Sequence, residues 1–380
     1  MSGQCLMQIY LDYSATTPTR PEAIAAIQDV LAEEWGNPSS LHQWGERGAM
    51  VLETARAQVA NLIAAQPQNI IFTASGTEAN NLAIMGIAQQ YDTPQHVIIS
   101  SVEHSAITQP AMWLAKQGWQ VTVLPVDQFG MVNPQDLVAA LQPNTVLVSV
   151  IYGQSEVGTI QPIAELAQIC QQAQIPFHTD AVQAAGRVPI DAPSLGISLL
   201  SMSAHKLYGG GGVGALYVNN QLQLLPLLRG GGQENGLRSG TPATAQIAGF
   251  GVAAQLAKAE LSVEIPRLQQ LRDRLLHLLQ HRPDLQLSGH PTQRLPHHLS
   301  FTTKCSGRSI VRTMNLAGIG IGAGSACHSG KTAPSPILLA MGHNETTASS
   351  GIRLTLGHQT TTADIDWTAM ALIQILEHKP

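Results

Sequence analysis

At 380 residues, 44% of them hydrophobic and 12% charged, the chain is long enough to bury a large core, and its composition excludes a disordered segment or a bare surface-binding module. A net charge of -5 and the lack of any basic run leave no electrostatic footprint for nucleic acid. No apolar stretch is long enough to span a bilayer, so neither nucleic acid nor membrane is an expected partner.

The N-terminal "MSGQCLMQIYLDYSATTP" has no basic region ahead of a long apolar one, and a cytoplasmic chain is expected. Cys5, Cys170, Cys305 and Cys327 lie far apart with no CxxC pair, which predicts free thiols and no metal site. From about residue 60 to 220 helical and strand-like runs alternate: "ARAQVANLIAA" then "NIIFTA", "NNLAIMGIA" then "HVIIS", "AITQPAMWLAKQG" then "QVTVLPV", and onward through "TVLVSVI", "IAELAQICQQAQ", "PFHTD", "ISLLSMS" and "GALYV". That spacing predicts a mainly parallel sheet with helices on both faces. A long helix is predicted from near Ala243 through "RLQQLRDRLLHLLQHRP", followed by "HHLSFTT", "GIGIGAGS", "GIRLTLG" and a last helix in "ADIDWTAMALIQILEH". The expected division is a large α/β domain over 16–257 and a small α+β domain over 1–15 and 258–380.

In open α/β sheets ligands collect beyond the carboxyl ends of the strands. After "IIFTA", the residues Ser75, Gly76 and Thr77 suit either a phosphate seat or a plain capped helix start. His104 follows "VIISS", and Asp180 ends "PFHTD" with Gln183 one turn on. Ser203, His205 and Lys206 follow "ISLLSMS". Singly, these read as a hydrogen-bonded histidine, a helix cap and a solvated lysine. Together, a phosphate seat, an acid, a histidine and a lysine at one end of one sheet suit pyridoxal 5'-phosphate: lysine bonds the cofactor aldehyde, and a carboxylate keeps the ring nitrogen protonated. The four glycines after Lys206 do not form a P-loop, because the lysine precedes them and a strand follows.

The motifs "YLDYSATTP", "GNPSS", "FTASGTEANNLAI", "EHSA", "EVGTIQP", "HTDAVQAAG", "SAHKLYG", "RSGTPATAQIAGFG", "GSACHSG" and "IRLTLG" follow the order and spacing of one family. Across nearly its whole length the chain resembles class V aminotransferase-fold enzymes, and among them cysteine desulfurases of the NifS/IscS type. The resemblance implies a fold type I, aspartate aminotransferase-like architecture with a seven-stranded, mainly parallel sheet. It implies that Lys206 holds the cofactor, Asp180 pairs with its pyridinium nitrogen, His104 stacks on the ring and Gln183 bonds its phenolic oxygen. Gly76, Thr77, Ser203 and His205 would seat the phosphate, with Thr241 arriving from the second subunit of a homodimer. Arg353 would clamp the carboxylate of L-cysteine, with Asn37 nearby. Sulfur would pass to protein acceptors such as an iron–sulfur scaffold.

The sequence departs from the family at two places. Ser155 stands where an asparagine would bond the phenolic oxygen, and Gly210 and Gly211 stand where many relatives carry proline and a basic residue. Cys327, in "GAGSACHSGKTAPSP", reads as a buried structural thiol or as a nucleophile; the apolar-poor loop with His328 and Lys331 favours the thiolate, and the resemblance implies a persulfide carrier. Selenocysteine lyase, another class V activity such as amino transfer, or a cofactor-binding protein without turnover are the alternatives.

Overall fold

Short, continuously apolar runs become strands because helices cover both faces of the sheet they join. The computed structural model describes residues 8–324 and 333–378. In chain order its strands are β1 (Ile9–Leu11), β2 (Ile70–Thr73), β3 (His96–Ser100), β4 (Gln120–Leu124), β5 (Thr145–Ser149), β6 (Phe177–Asp180), β7 (Leu199–Ser203), β8 (Gly214–Val218), β9 (Leu285–Leu287), β10 (His298–Thr303), β11 (Ile319–Ala323) and β12 (Ile352–Thr355). Seven form a sheet in the order β2-β8-β7-β6-β5-β3-β4. The pairs from β7 through β6, β5 and β3 to β4 are parallel, while β8 runs antiparallel to both neighbours. Alternate residues feed two apolar layers. Ile98, Val148, Phe177, Leu200 and Ala215 pack on one face, and Val97, Ile99, Leu147, Leu199 and Leu216 on the other. The expected seven-stranded, mainly parallel architecture is what forms.

A second sheet, β1-β11-β12-β10-β9, takes in the N-terminal strand, whose β1 runs parallel to β11. The helix Thr244–Leu279 has 36 residues and so extends about 54 Å. Its first half packs Ile247, Phe250 and Ala254 into the core of the large sheet, and its second half packs Leu268, Leu271, Leu275 and Leu279 against the small one. The helices Pro21–Ala32, Pro134–Ala140 and Gly307–Leu316 lie outside the sequence reading, and the helix Gln43–Leu62 begins well before "ARAQVANLIAA". Proline at the first position of the first two was the available start signal. No helix among the described residues is long and apolar enough to cross a membrane.

Candidate active site

At the carboxyl ends of β2, β3, β5, β6 and β7 the chain leaves a cavity of about 560 Å³. Gly76, Thr77, His104, Ser155, Asp180, Gln183, Ser203, His205, Lys206 and Arg353 all line it. Each residue arrives by a simple local device.

Ser75 caps the helix Gly76–Ala88, its Oγ accepting the Glu78 N–H at 3.1 Å, so the first-turn N–H groups of Gly76 and Thr77 have no acceptor within the helix. The capped helix start is what forms, and its N-terminus opens on the cavity. Gly76 is required by closeness, because a Cβ there would lie 2.9 Å from Val182 and 3.3 Å from Ser203.

Asp180 ends β6 and is buried; Oδ2 accepts from Asn80 Nδ2 at 2.7 Å and Oδ1 from the Val182 N–H at 2.9 Å. Lys206 closes a single 3-10 turn after β7, and its Nζ donates to the carbonyls of Ser14 at 2.5 Å and Ala15 at 2.7 Å. Gln183 Nε2 donates to that same Ser14 carbonyl at 2.9 Å, while its Oε1 is buried with no partner among the described residues. Buried Arg187 holds the backbone behind the lysine, donating to the Lys206 carbonyl at 3.0 Å. Beyond the lysine, Gly210 has φ +84°, a left-handed backbone that proline cannot adopt. The second departure from the family thus has a conformational basis in this chain.

His104 caps the helix Ser105–Lys116 with Nδ1, which accepts the Ala106 N–H at 3.1 Å and leaves the proton of the neutral ring on Nε2. Burial, and then the Lys206 charge, bring His205 down to about 4, so it is neutral at physiological pH. His178, beneath the site between Ser149 and Ser201, is lowered to about 3 by burial. Beside His104, Glu103 is raised to about 8, chiefly by burial. Arg353 comes from β12 of the small sheet: Nη2 donates to Asp12 Oδ1 at 2.7 Å and Nη1 to the Ser155 carbonyl at 3.0 Å.

Two expected residues lie elsewhere. Thr241 is exposed and borders a separate small cleft with Glu234 and Arg238, on the far side of Ala74, Gly212 and Val213. Asn37 is exposed as well and spends its side chain on a local turn, Oδ1 accepting the Ser39 N–H at 3.0 Å, and it does not line the cavity that Arg353 does. Cys327 and Cys5 lie outside the described residues; Cys170 is fully buried and raised to about 12, and Cys305 is a partly exposed free thiol. The residues that sequence reasoning passed over are Ser14, Ala15 and Asn80, which line the cavity, and Asp12 and Arg187; all five hold the other functional groups by hydrogen bonds. Only "YLDYSATTP" and "TEANN" carried a signal for the first four, as motifs without assigned roles.

This donor set fits pyridoxal 5'-phosphate. A helix N-terminus receives an anion, a buried carboxylate faces a lysine amine across one cavity, and the orphaned Gln183 Oε1 has a buried polar need that a ligand meets.

Residues 9–367 match the family described as Aminotransferase class-V. Cysteine desulfurase IscS of Dictyoglomus turgidum is 44% identical over 88% of this chain and 86% of its own length. A solved structure described as a NifS-like protein superposes with a TM-score of 0.92 at 30% identity, covering 98% of this chain and all of that one. Another, described as SspA in complex with cysteine, gives a TM-score of 0.82 at 32% identity over 92% of this chain and 99% of that one. With the cofactor-type cavity built on this sheet and the match running over almost its whole length, the chain belongs to the class V aminotransferase family.

Proposed function

We propose that this chain is a pyridoxal phosphate-dependent cysteine desulfurase that converts L-cysteine to L-alanine and leaves the sulfur as a persulfide on Cys327. The observation that carries the reading is the convergence of Lys206, Asp180, His104 and Gln183 from the large sheet with Arg353 from the small one on a single cavity. Bound there, the cofactor supplies an aldehyde for the substrate amine and a protonated ring that draws electron density from the substrate. Lys206 Nζ, resting on two backbone carbonyls, is the group that would bond the cofactor and, once freed, would carry protons. Asp180, held by Asn80 and Val182, presents a fixed carboxylate to the ring nitrogen. Gly76, Thr77, Ser203 and His205 would hold the phosphate, Gln183 and Ser155 would bond the phenolic oxygen, and His104 would stack on the ring. Arg353 receives the substrate carboxylate. The thiolate of Cys327 forms an S–S bond to the substrate sulfur; the C–S bonding pair stays on carbon, which takes up a proton to become the methyl group of alanine.

The two sheets, with their separate apolar cores, support a large domain over 16–257 and a small one over 1–15 and 258–380. Thr241's exposure outside its own chain's cavity supports a homodimer in which it reaches the partner's phosphate seat. A protein sulfur acceptor such as an iron–sulfur scaffold, in the cytoplasm, would take the sulfur from the persulfide product. The test is alanine and sulfide release from L-cysteine: the wild-type protein releases both, and Cys327→Ala binds cofactor with an unchanged absorbance spectrum yet releases almost none. Wild-type turnover by the alanine variant would refute the mechanism.

A further inference from the structure

His298 is fully buried at the start of β10, in a segment whose only sequence signal is that of a strand. It pairs with Thr355 of β12, and two residues along Ser300 pairs with Arg353, so His298, Ser300, Arg353 and Thr355 share one face of the small sheet. The intervening Leu299, Phe301, Ile352 and Leu354 point to the other face, into the apolar core. On the polar face, the Ser155 carbonyl accepts two N–H groups: His298 Nε2 at 3.1 Å and Arg353 Nη1 at 3.0 Å.

We propose that His298 is a positioning residue for Arg353, fixing the guanidinium through the shared Ser155 carbonyl. The proposal rests on the reading of Arg353 as the receiver of the substrate carboxylate. The guanidinium is held at two corners, by Asp12 just after β1 and by the Ser155 carbonyl in the turn after β5. The carboxylate of Asp12 is a strong anchor. A backbone carbonyl is an adequate second anchor only if its own direction is fixed, and His298 fixes it. Donation from Nε2 requires the tautomer with a bare Nδ1, which is buried and without a partner among the described residues. The ring is neutral, since burial and the charges of Arg294, Arg353 and Arg187 all oppose a proton there. It also packs flush against the turn: at Gly158, with φ +82°, a Cβ would fall 2.6 Å from Nδ1. The carbonyl, ring and turn therefore form one stiff unit, and the plane in which Arg353 offers its remaining N–H groups is set by it.

The experiment compares holoenzymes carrying His298→Leu, similar in bulk but without a donor, and His298→Gln, which returns an N–H near the Nε2 position. His298→Leu should raise KM for L-cysteine about tenfold with kcat within about threefold, the loss of one hydrogen bond's worth of binding, and His298→Gln should restore KM to within about threefold. Binding of cysteamine, which has the amine and thiol but no carboxylate, followed by the change in cofactor absorbance, should move by less than about twofold in either variant. In an Arg353→Lys background His298→Leu should add almost nothing. Equal weakening of cysteamine and L-cysteine, or full additivity with Arg353→Lys, would overturn the proposal. An unchanged KM in Arg353→Lys alone would refute the carboxylate assignment itself and the proposal with it. A raised KM there beside an unchanged one in His298→Leu would refute only the coupling. Should His298→Leu fail to fold, His298→Gln against the shorter His298→Asn carries the test: KM is expected to be raised only in the asparagine variant, and equal values would overturn the assignment.

Discussion

Glu103→Gln should abolish a specific part of this protein's pH dependence. Glu103 follows β3 and is almost fully buried; Oε1 accepts from Ser100 Oγ at 2.5 Å and from the Ile151 N–H at 2.7 Å, while Oε2 has no partner among the described residues. Burial, reinforced by the Asp180 charge and opposed by the two hydrogen bonds, raises its pKa from 4.5 to about 8. The sign follows from linkage. Between these values the unfolded chain sheds a proton that the folded one keeps, so the stability fully present below pH 4.5 is lost as pH rises through 8. The slope approaches about 1.4 kcal/mol per pH unit, which gives about 3 kcal/mol between pH 5.5 and 8.5. Glutamine keeps the acceptor oxygen for Ser100 and Ile151 and does not titrate. The buried histidines, whose depressed pKa values shape the acid side, are common to both proteins and cancel in the comparison. Thermal unfolding of both proteins at equal cofactor loading should therefore show Glu103→Gln gaining on the wild type by roughly 5 °C from pH 5.5 to 8.5. Parallel pH–stability curves, or a wild type that gains on the variant as pH rises, would refute the reasoning.

Other expected outcomes rest on separate parts of the molecule. Glu234 makes a two-pronged ion pair with Arg56 (2.7 and 2.9 Å) and accepts the Phe72 N–H at 2.8 Å, both side chains being nearly buried; Glu234→Ala leaves Arg56 with only the exposed Glu53 carboxylate and the Ile70 carbonyl and the Phe72 N–H without its acceptor, and should cost about 3 kcal/mol, read as a lower unfolding temperature. Lys206→Ala should lose the borohydride-reducible cofactor adduct, and mixing it with Thr241→Ala under verified subunit exchange should restore activity to one composite site in two; no recovery would count against shared sites. Ser155→Asn adds an amide donor at the cavity wall and should shift the spectral pH titration of the cofactor-loaded protein to lower pH, because a donor to the phenolic oxygen favours its anion; superimposable titrations would dismiss that role.

Much of the candidate site's membership was legible in the sequence because it is local. A lysine after a strand, an aspartate at a strand end and a Ser-Gly-Thr at a helix start keep their meaning in any fold that aligns the strands in parallel, and Lys206, Asp180, Gly76 and Thr77 were read that way. The alternation of helix and strand likewise determined the large sheet, since period and run length are properties of the chain alone. The supports were not legible. The carbonyls of Ser14 and Ala15 carry no side-chain signature, yet they hold Lys206 across more than 190 residues of sequence. Asp12 meets Arg353 only because β1 joins β11 at the edge of a sheet otherwise built from the last third of the chain, and the Ser155 carbonyl meets His298 only because that sheet lays its polar face on the turn after β5. Thr241 and Asn37 show the same limit from the other side: their residue types are compatible with binding, but one chain's packing puts them outside its own cavity. Residue type and spacing determine what each strand end offers, whereas backbone acceptors and partners far apart in sequence are chosen by packing, because a hydrogen bond depends on where two atoms lie and not on how far apart the chain has put them.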